Sequence, residues 1–229
     1  MGHIEKRGPK RWRVRYRGTD GKERSRTFKR KPDAEGYLAI VEADLVKGTW
    51  RDPELGRRTF ESWADEYFAK ARKRPTTMAR DLAVYRKHFR PRLWHRPLAS
   101  ITKTEVRRLV DEMAETLAPA TVRTDYGVLR AIFNAAVEED VLIASPCPKI
   151  RWNNSSKVEK TYLTAADVIR LAQAMPVEYR PMIYLAGVLG MRWSEVAGLR
   201  VGRLDFLRRT VSVTETLSEV EGKLIPADV

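Results

Sequence analysis

The chain has 229 residues, with 44 Lys and Arg against 30 Asp and Glu, a net charge of +14 and a pI of about 10.1. Its 43% hydrophobic residues, six Trp and eight Tyr suffice for packed cores and exclude global disorder. No apolar run approaches the ~20 residues of a membrane span, the charged N-terminus lacks a signal-peptide core, and the single Cys147 excludes a disulfide framework or a cysteine zinc cluster. His3, His88 and His95 add no metal-ligand spacing. The expectation is a soluble, cytoplasmic protein without metal or cofactor, off the membrane, whose partner is a polyanion.

The charge is concentrated at the front. Residues 1–31 hold 13 Lys and Arg and 3 acids, so +10 of the +14 sits there. From Arg11 to Arg17 basic and apolar residues alternate strictly, a period of two that predicts a strand with Trp12, Val14 and Tyr16 on one face and Arg11, Arg13, Arg15 and Arg17 on the other. Gly18-Thr19-Asp20-Gly21 is a turn signal, and Glu23 to Phe28 is the returning strand, whose Arg24 and Arg26 are expected to extend the basic surface. A helix follows, with Pro32 in its first turn, Leu38, Val41 and Leu45 as its apolar stripe and Gly48 as its stop. Positive charge on such a sheet releases counterions from nucleic acid, and a sheet can enter a DNA groove.

The middle segment predicts a helical bundle. Trp63, Tyr67 and Phe68 mark one helix, and Met78, Leu82, Tyr85 and Phe89 a second. The opposite side of that second helix is expected to carry Arg80, Arg86, Lys87 and Arg90, with Asp81 its only acid. Thr102 and Glu105 form a capping box for a third helix with Val106, Leu109, Val110 and Met113 inward. Pro119 opens a fourth, with Val122, Tyr126, Leu129, Phe133 and Val137 inward. The prolines and small polar residues of Ser145–Lys160 read as a linker, and Cys147, between two prolines, is not a nucleophile. Thr164 then caps a helix, a second runs from Pro181 to Leu189 and stops at Gly190, and strands are expected at 204–206, 210–216 and 223–225.

The decapeptide Gly190-Met191-Arg192-Trp193-Ser194-Glu195-Val196-Ala197-Gly198-Leu199 resembles the first arginine motif of the tyrosine recombinases, the phage integrase family. The basic sheet resembles the family's arm-type DNA-binding module. Thr77 through Tyr85 to Pro91, Leu98 to Val106, and Leu129 to Val137 resemble its core-binding domain. The fold class that follows is a mostly α, α+β multidomain chain. It has a three-stranded sheet plus helix at 1–51, a SAM-like four-helix domain at 57–148, a linker at 149–160 and a partial catalytic α/β domain at 161–229.

The resemblance implies site-specific integration and excision of phage or prophage DNA through a phosphotyrosine link, without metal or ATP. Arg192 matches the first catalytic arginine, whose planar fork suits the charge of a phosphorane, and Glu195 matches the acidic position that braces it. The family's lysine hairpin, His-x-x-Arg motif and nucleophilic tyrosine have no counterpart among the 37 residues after Arg192, and Lys223 is not read as the hairpin lysine. The expectation is therefore a C-terminally truncated recombinase, with a stable front and a loosely packed C-terminal third. The alternative is an inactive protein that occupies attachment sites. A transcription factor sharing only helical parts ranks last, since it leaves the Arg192 motif to coincidence. Arm and core attachment sites in duplex DNA are the expected partners, with DNA-bending or excision factors and self-association on DNA beside them.

Overall fold

The computed structural model describes residues 2–152 and 161–228. These fall into two compact units, one from the described residues of Met1–Ala71 and Ala83–Asn153, the other from those of Arg72–Leu82 and Asn154–Val229. Most of the linker expected at 149–160 lies outside the described residues. The mostly helical, α+β fold class matches what the sequence implies.

The first unit begins with a three-stranded antiparallel sheet in the order β1 (His3–Gly8), β2 (Arg11–Arg17), β3 (Glu23–Phe28). The alternation of β2 drives Val14 and Tyr16 into the core, where they pack with Ala34 and Val41 of helix α1 (Lys31–Lys47) and with Trp50. Trp50 also explains Gly18, because any Cβ there would come within 2.4 Å of the Trp50 ring. Helix α1 starts with Pro32 in its first turn and ends at Gly48, which takes the left-handed conformation (φ 67°) that glycine adopts without steric cost.

The same unit continues with α2 (Phe60–Lys70), then α3 (Pro75–Val84), which it enters at Ala83. A single π turn (Tyr85–Phe89) and α4 (Arg90–Leu93) continue α3, and α5 (Lys103–Ala114) and α6 (Pro119–Glu138) complete the series. The π turn is closed by the Arg90 N–H on the Tyr85 carbonyl; Pro91, with no N–H to offer the ladder, follows directly. Phe60, Trp63, Phe89, Leu98, Val106, Val122, Tyr126, Leu129, Ile132 and Phe133 are fully buried. The Trp63 indole Nε1 donates to the Ile132 carbonyl at 2.9 Å, so this polar atom is satisfied inside the core. The capping box of α5 forms as read: Thr102 Oγ1 accepts from the Glu105 N–H at 3.3 Å, and Glu105 Oε2 accepts from the Thr102 N–H at 2.9 Å.

In the second unit, α7 (Ala165–Ala174) opens with a capping box between Thr164 and Asp167 and packs on α8 (Arg180–Leu189), which ends at left-handed Gly190. Helix α9 (Trp193–Gly198) packs on the hairpin β6 (Glu215–Val220) and β7 (Lys223–Asp228), while β4 (Leu204–Asp205) pairs with β5 (Thr210–Val211). The single strand expected at 210–216 is thus broken, with β5 ending at Val211 and β6 opening at Glu215 and running to Val220, and the strand expected at 223–225 runs on to Asp228. Hydrophobic burial is sparse: Val168, Ala172 and Val196 are buried, whereas Tyr162, Val188, Trp193 and Phe206 are exposed.

Candidate nucleic-acid interface

The sheet separates its arginines by register. Directly opposed residues of an antiparallel pair point to the same face, and the pairs are Tyr16 with Arg24, Val14 with Arg26, and Trp12 with Phe28. Arg24 and Arg26 therefore share the core-facing side, and the expectation that they extend the outer basic surface is corrected. Arg24 is clamped: Nη1 and Nη2 donate to Asp20 at 2.7 and 2.9 Å, Nε donates to Asp52 Oδ1 at 3.0 Å, and the guanidinium lies 4.9 Å from the Trp50 ring centre. The Arg24 hydrogen bonds hold the Asp20 carboxyl well below the usual carboxylate range. Arg26 lies over Tyr37 and Phe28, 5.0 and 5.3 Å from the ring centres.

The outer face carries Arg13, Arg15 and Arg17, opposite Thr27, Ser25 and Glu23. Arg13 Nη2 donates to the Ser25 hydroxyl at 2.9 Å, and Arg15 Nη1 lies 3.3 Å from Glu23. Arg11 and Arg17 are exposed, and neither has an ion-pair partner among the described residues. Glu5, paired in register with Arg13, places an acid on this face as well.

Between residues 80 and 90 the basic residues differ in what they are free to do. Arg80 donates from Nε and Nη2 to Asp81 at 3.0 and 2.6 Å, and Lys73 donates to the other carboxylate oxygen at 2.7 Å. Asp81 is buried, which corrects its expected place on a solvated side; it falls one helical turn before buried Tyr85, at the edge of the apolar stripe. Burial works to raise its carboxyl, and the hydrogen bonds from Lys73 and Arg80 outweigh it and hold the group low. Arg90 donates to Glu61 Oε1 at 2.8 and 2.6 Å and lies 5.7 Å from the Trp94 ring centre. Arg86 and Lys87, in the π turn, are exposed without an ion pair to any described residue.

Arg192 is the N-cap residue of α9. Its backbone N–H donates to Glu195 Oε2 at 2.7 Å and its Nη1 to Glu195 Oε1 at 2.9 Å. The Glu195 side chain is only 15% exposed and that of Arg192 83% exposed, so a seated carboxylate braces a guanidinium that remains open to solvent. The Arg192 N–H, then the guanidinium, lower the Glu195 carboxyl. Lys223 opens β7, paired with Val220 across the turn. Cys147 is no candidate nucleophile: burial pushes its thiol up to about 11. Asp52, the second anchor of Arg24, went unread in the sequence; no periodicity marks a carboxylate that acts across 28 residues.

Residues 1–47 match the family model of the phage integrase N-terminal domain, and residues 60–153 that of the phage integrase central domain. A protein of Mycobacterium tuberculosis provisionally named prophage phiRv2 integrase is 26% identical over 214 residues, covering 90% of this chain and 56% of the relative. The integrase of Mycobacterium phage FRAT1 is 26% identical over 184 residues, covering 73% of this chain and 52% of the relative. The chain thus spans about half the length of the curated relatives it matches. The Tn1549 transposon integrase in complex with transposon right end DNA superposes with a TM-score of 0.62 at 22% identity, over 75% of this chain and 57% of that one. A lambda integrase tetramer bound to a Holliday junction gives 0.55 at 20% identity, over 98% of this chain and 68% of that one. At these identities the likeness to the two structures is one of fold.

Proposed function

Because the chain belongs to the phage integrase family of tyrosine recombinases, we propose that its 229 residues supply the DNA-binding parts and the first catalytic arginine of an enzyme for site-specific integration and excision of phage or prophage DNA. The arm module, residues 1–51, holds arm-type sites through Arg11, Arg13, Arg15 and Arg17. The helical module, residues 57–148, holds the core site through Arg86 and Lys87, which have no ion pair to any described residue, and through Arg80 and Arg90, cations already braced by carboxylates. Partial neutralisation by Asp81 and Glu61 fixes the geometry of those two arginines and lowers their pull on phosphate. Arg24 and Arg26 serve the arm module from its inner face. The setting is the bacterial cytoplasm.

The observation that carries the catalytic part of this reading is the Arg192–Glu195 pair. Glu195 fixes the backbone and one guanidinium nitrogen of Arg192, leaving the remaining donors turned to solvent. A preorganised guanidinium of this kind stabilises a phosphorane's non-bridging oxygens by about 3–4 kcal/mol. In family order the nucleophilic tyrosine follows this arginine, and no tyrosine occurs in this sequence after Tyr184. The 229-residue polypeptide is therefore proposed to bind attachment-site duplex without becoming joined to it.

The arm assignment is tested by replacing Arg13 and Arg15 with alanine and titrating arm-site duplex over a range of salt. Each lost phosphate contact lowers the slope of log K against log salt by about 0.9, so the pair should lower it by nearly two. An unchanged affinity and slope would contradict the assignment.

A further inference from the structure

The π turn sets two kinds of residue side by side. Arg86 and Lys87 are exposed, whereas His88, the next residue, keeps only 14% of its side chain exposed, and its ring lies 6.4 Å from that of buried Phe89. Its Nε2 is 3.8 Å from Oδ2 of Asp125 on α6, whose side chain is 10% exposed. That separation is too long for a hydrogen bond and short enough for an ion pair once the imidazole is charged. A titratable pair of low exposure thus sits one residue from Lys87, a cation assigned to the core site. A π turn inside a helix is itself a frequent mark of a functional segment.

The charged groups that act on His88 come from three elements: Asp125 on α6, Lys87 on the π turn itself and Arg92 on α4. Arg92 is already tied to Glu112 of α5 at 3.0 Å. Burial holds the imidazole below the usual histidine value; Asp125 opposes burial, and Lys87 and Arg92 add to it. The free chain therefore carries His88 neutral at pH 7. A phosphate placed on Lys87 changes this balance. It offsets the Lys87 charge and adds a negative one nearby, and both changes favour the imidazolium. The Asp125 carboxylate is already in place to receive it.

We infer that His88 and Asp125 form a proton-linked latch for duplex DNA: a phosphate docking on Arg86 and Lys87 draws a proton from solvent onto the His88 ring, and the imidazolium so formed pairs with Asp125. The inference rests on the DNA-binding reading above and gives that binding a pH dependence. Because binding takes up a proton, affinity for duplex rises as pH falls through the titration of His88 in the complex and levels off below its titration in the free chain.

The chain has three histidines, so His3→Gln with His95→Gln in the full 229-residue polypeptide leaves His88 as the single imidazole, itself unaltered. Its ring-proton NMR signal is followed from about pH 8 to pH 5, free and with a random-sequence duplex several helical turns long, since phosphate contacts are independent of sequence. The midpoint should move to higher pH in the complex, and affinity should gain about three- to tenfold over the same range. Replacing His88 by Gln as well should remove that gain. Asp125→Asn should return the midpoint in the complex towards that of the free chain. If the duplex binds and the midpoint stays or falls, or if it rises equally with Asn at position 125, the inference fails and the functional reading stands. If no duplex binds, the reading fails and takes the inference with it.

Discussion

Helices α6 and α8 are both rich in apolar residues, and their fates differ. Helix α6 buries eight residues, among them Val122, Tyr126, Leu129, Ile132 and Phe133, and keeps Arg123, Gly127 and Arg130 outside. Helix α8, with the sequence Arg-Pro-Met-Ile-Tyr-Leu-Ala-Gly-Val-Leu, buries none. The first has a stripe, and a stripe tells the chain which side to bury. The second is apolar nearly all round, the pattern of a helix covered on every side, and the described residues of this chain cover it only in part. Apolar content marks a helix as destined for burial; the polar residues opposite the stripe decide where.

That contrast can be broken experimentally. Phe133→Ala, at a fully buried position, should destabilise the first unit by about 3–5 kcal/mol in denaturant titrations, the sum of lost transfer energy and an unfilled cavity. A loss below about 1 kcal/mol would mean that the bundle core is not packed as described. Thr102→Ala removes one half of the α5 capping box and should cost about 1 kcal/mol. Val188→Ser on α8, at a site 69% exposed, should change stability by no more than about 0.5 kcal/mol. A larger loss would show that α8 is covered in solution, and would place a partner against it.

The capping box also sets a pH dependence. The Thr102 N–H, then the Arg96 guanidinium and the Thr102 hydroxyl, lower Glu105 from its usual 4.5 to about 2 in the folded chain. A depressed folded value favours the charged form, so this contribution is complete above pH 4.5 and is lost as pH falls from there towards 2. Glu105→Gln should remove that part of the acid sensitivity, read as a flatter midpoint between pH 5 and 3; an unaltered profile would contradict the role given to Glu105. The magnitude stays small because the carboxylate is close to solvent.

What could be read in the sequence follows from how local each signal is. The alternation of β2, the Thr102 and Thr164 boxes, and the stops at Gly48 and Gly190 are fixed by neighbours within a turn, and each element formed where its residues indicated. The third strand of the sheet was expected without a range, because in β1 Ile4 is the only sizeable apolar side chain and alternation has nothing to mark. The faces of Arg24 and Arg26 depended on register across a hairpin, which the spacing of β3 alone does not fix. Asp81 was placed on the wrong side for a related reason: a charged residue beside an apolar stripe reads as solvated until Lys73 and Arg80 are seen to satisfy it. Of the candidate site, the outward arginines of β2 and the Arg192–Glu195 spacing were legible. The ties that hold Arg24, Arg80 and Arg90 were not, because Asp52 and Glu61 lie far away in sequence and a carboxylate beside an arginine carries no periodic signature.

These residues are proposed to bind attachment-site DNA and to present Arg192 to a phosphate without a nucleophile in family order. A nicked attachment-site duplex, which traps any covalent product, tests it most directly when incubated with the 229-residue polypeptide and run on native and denaturing gels. The expected outcome is a retarded band on the native gel and free DNA on the denaturing one. A protein–DNA band that survives denaturation would contradict it, since a tyrosine within these residues would then be attacking the phosphate.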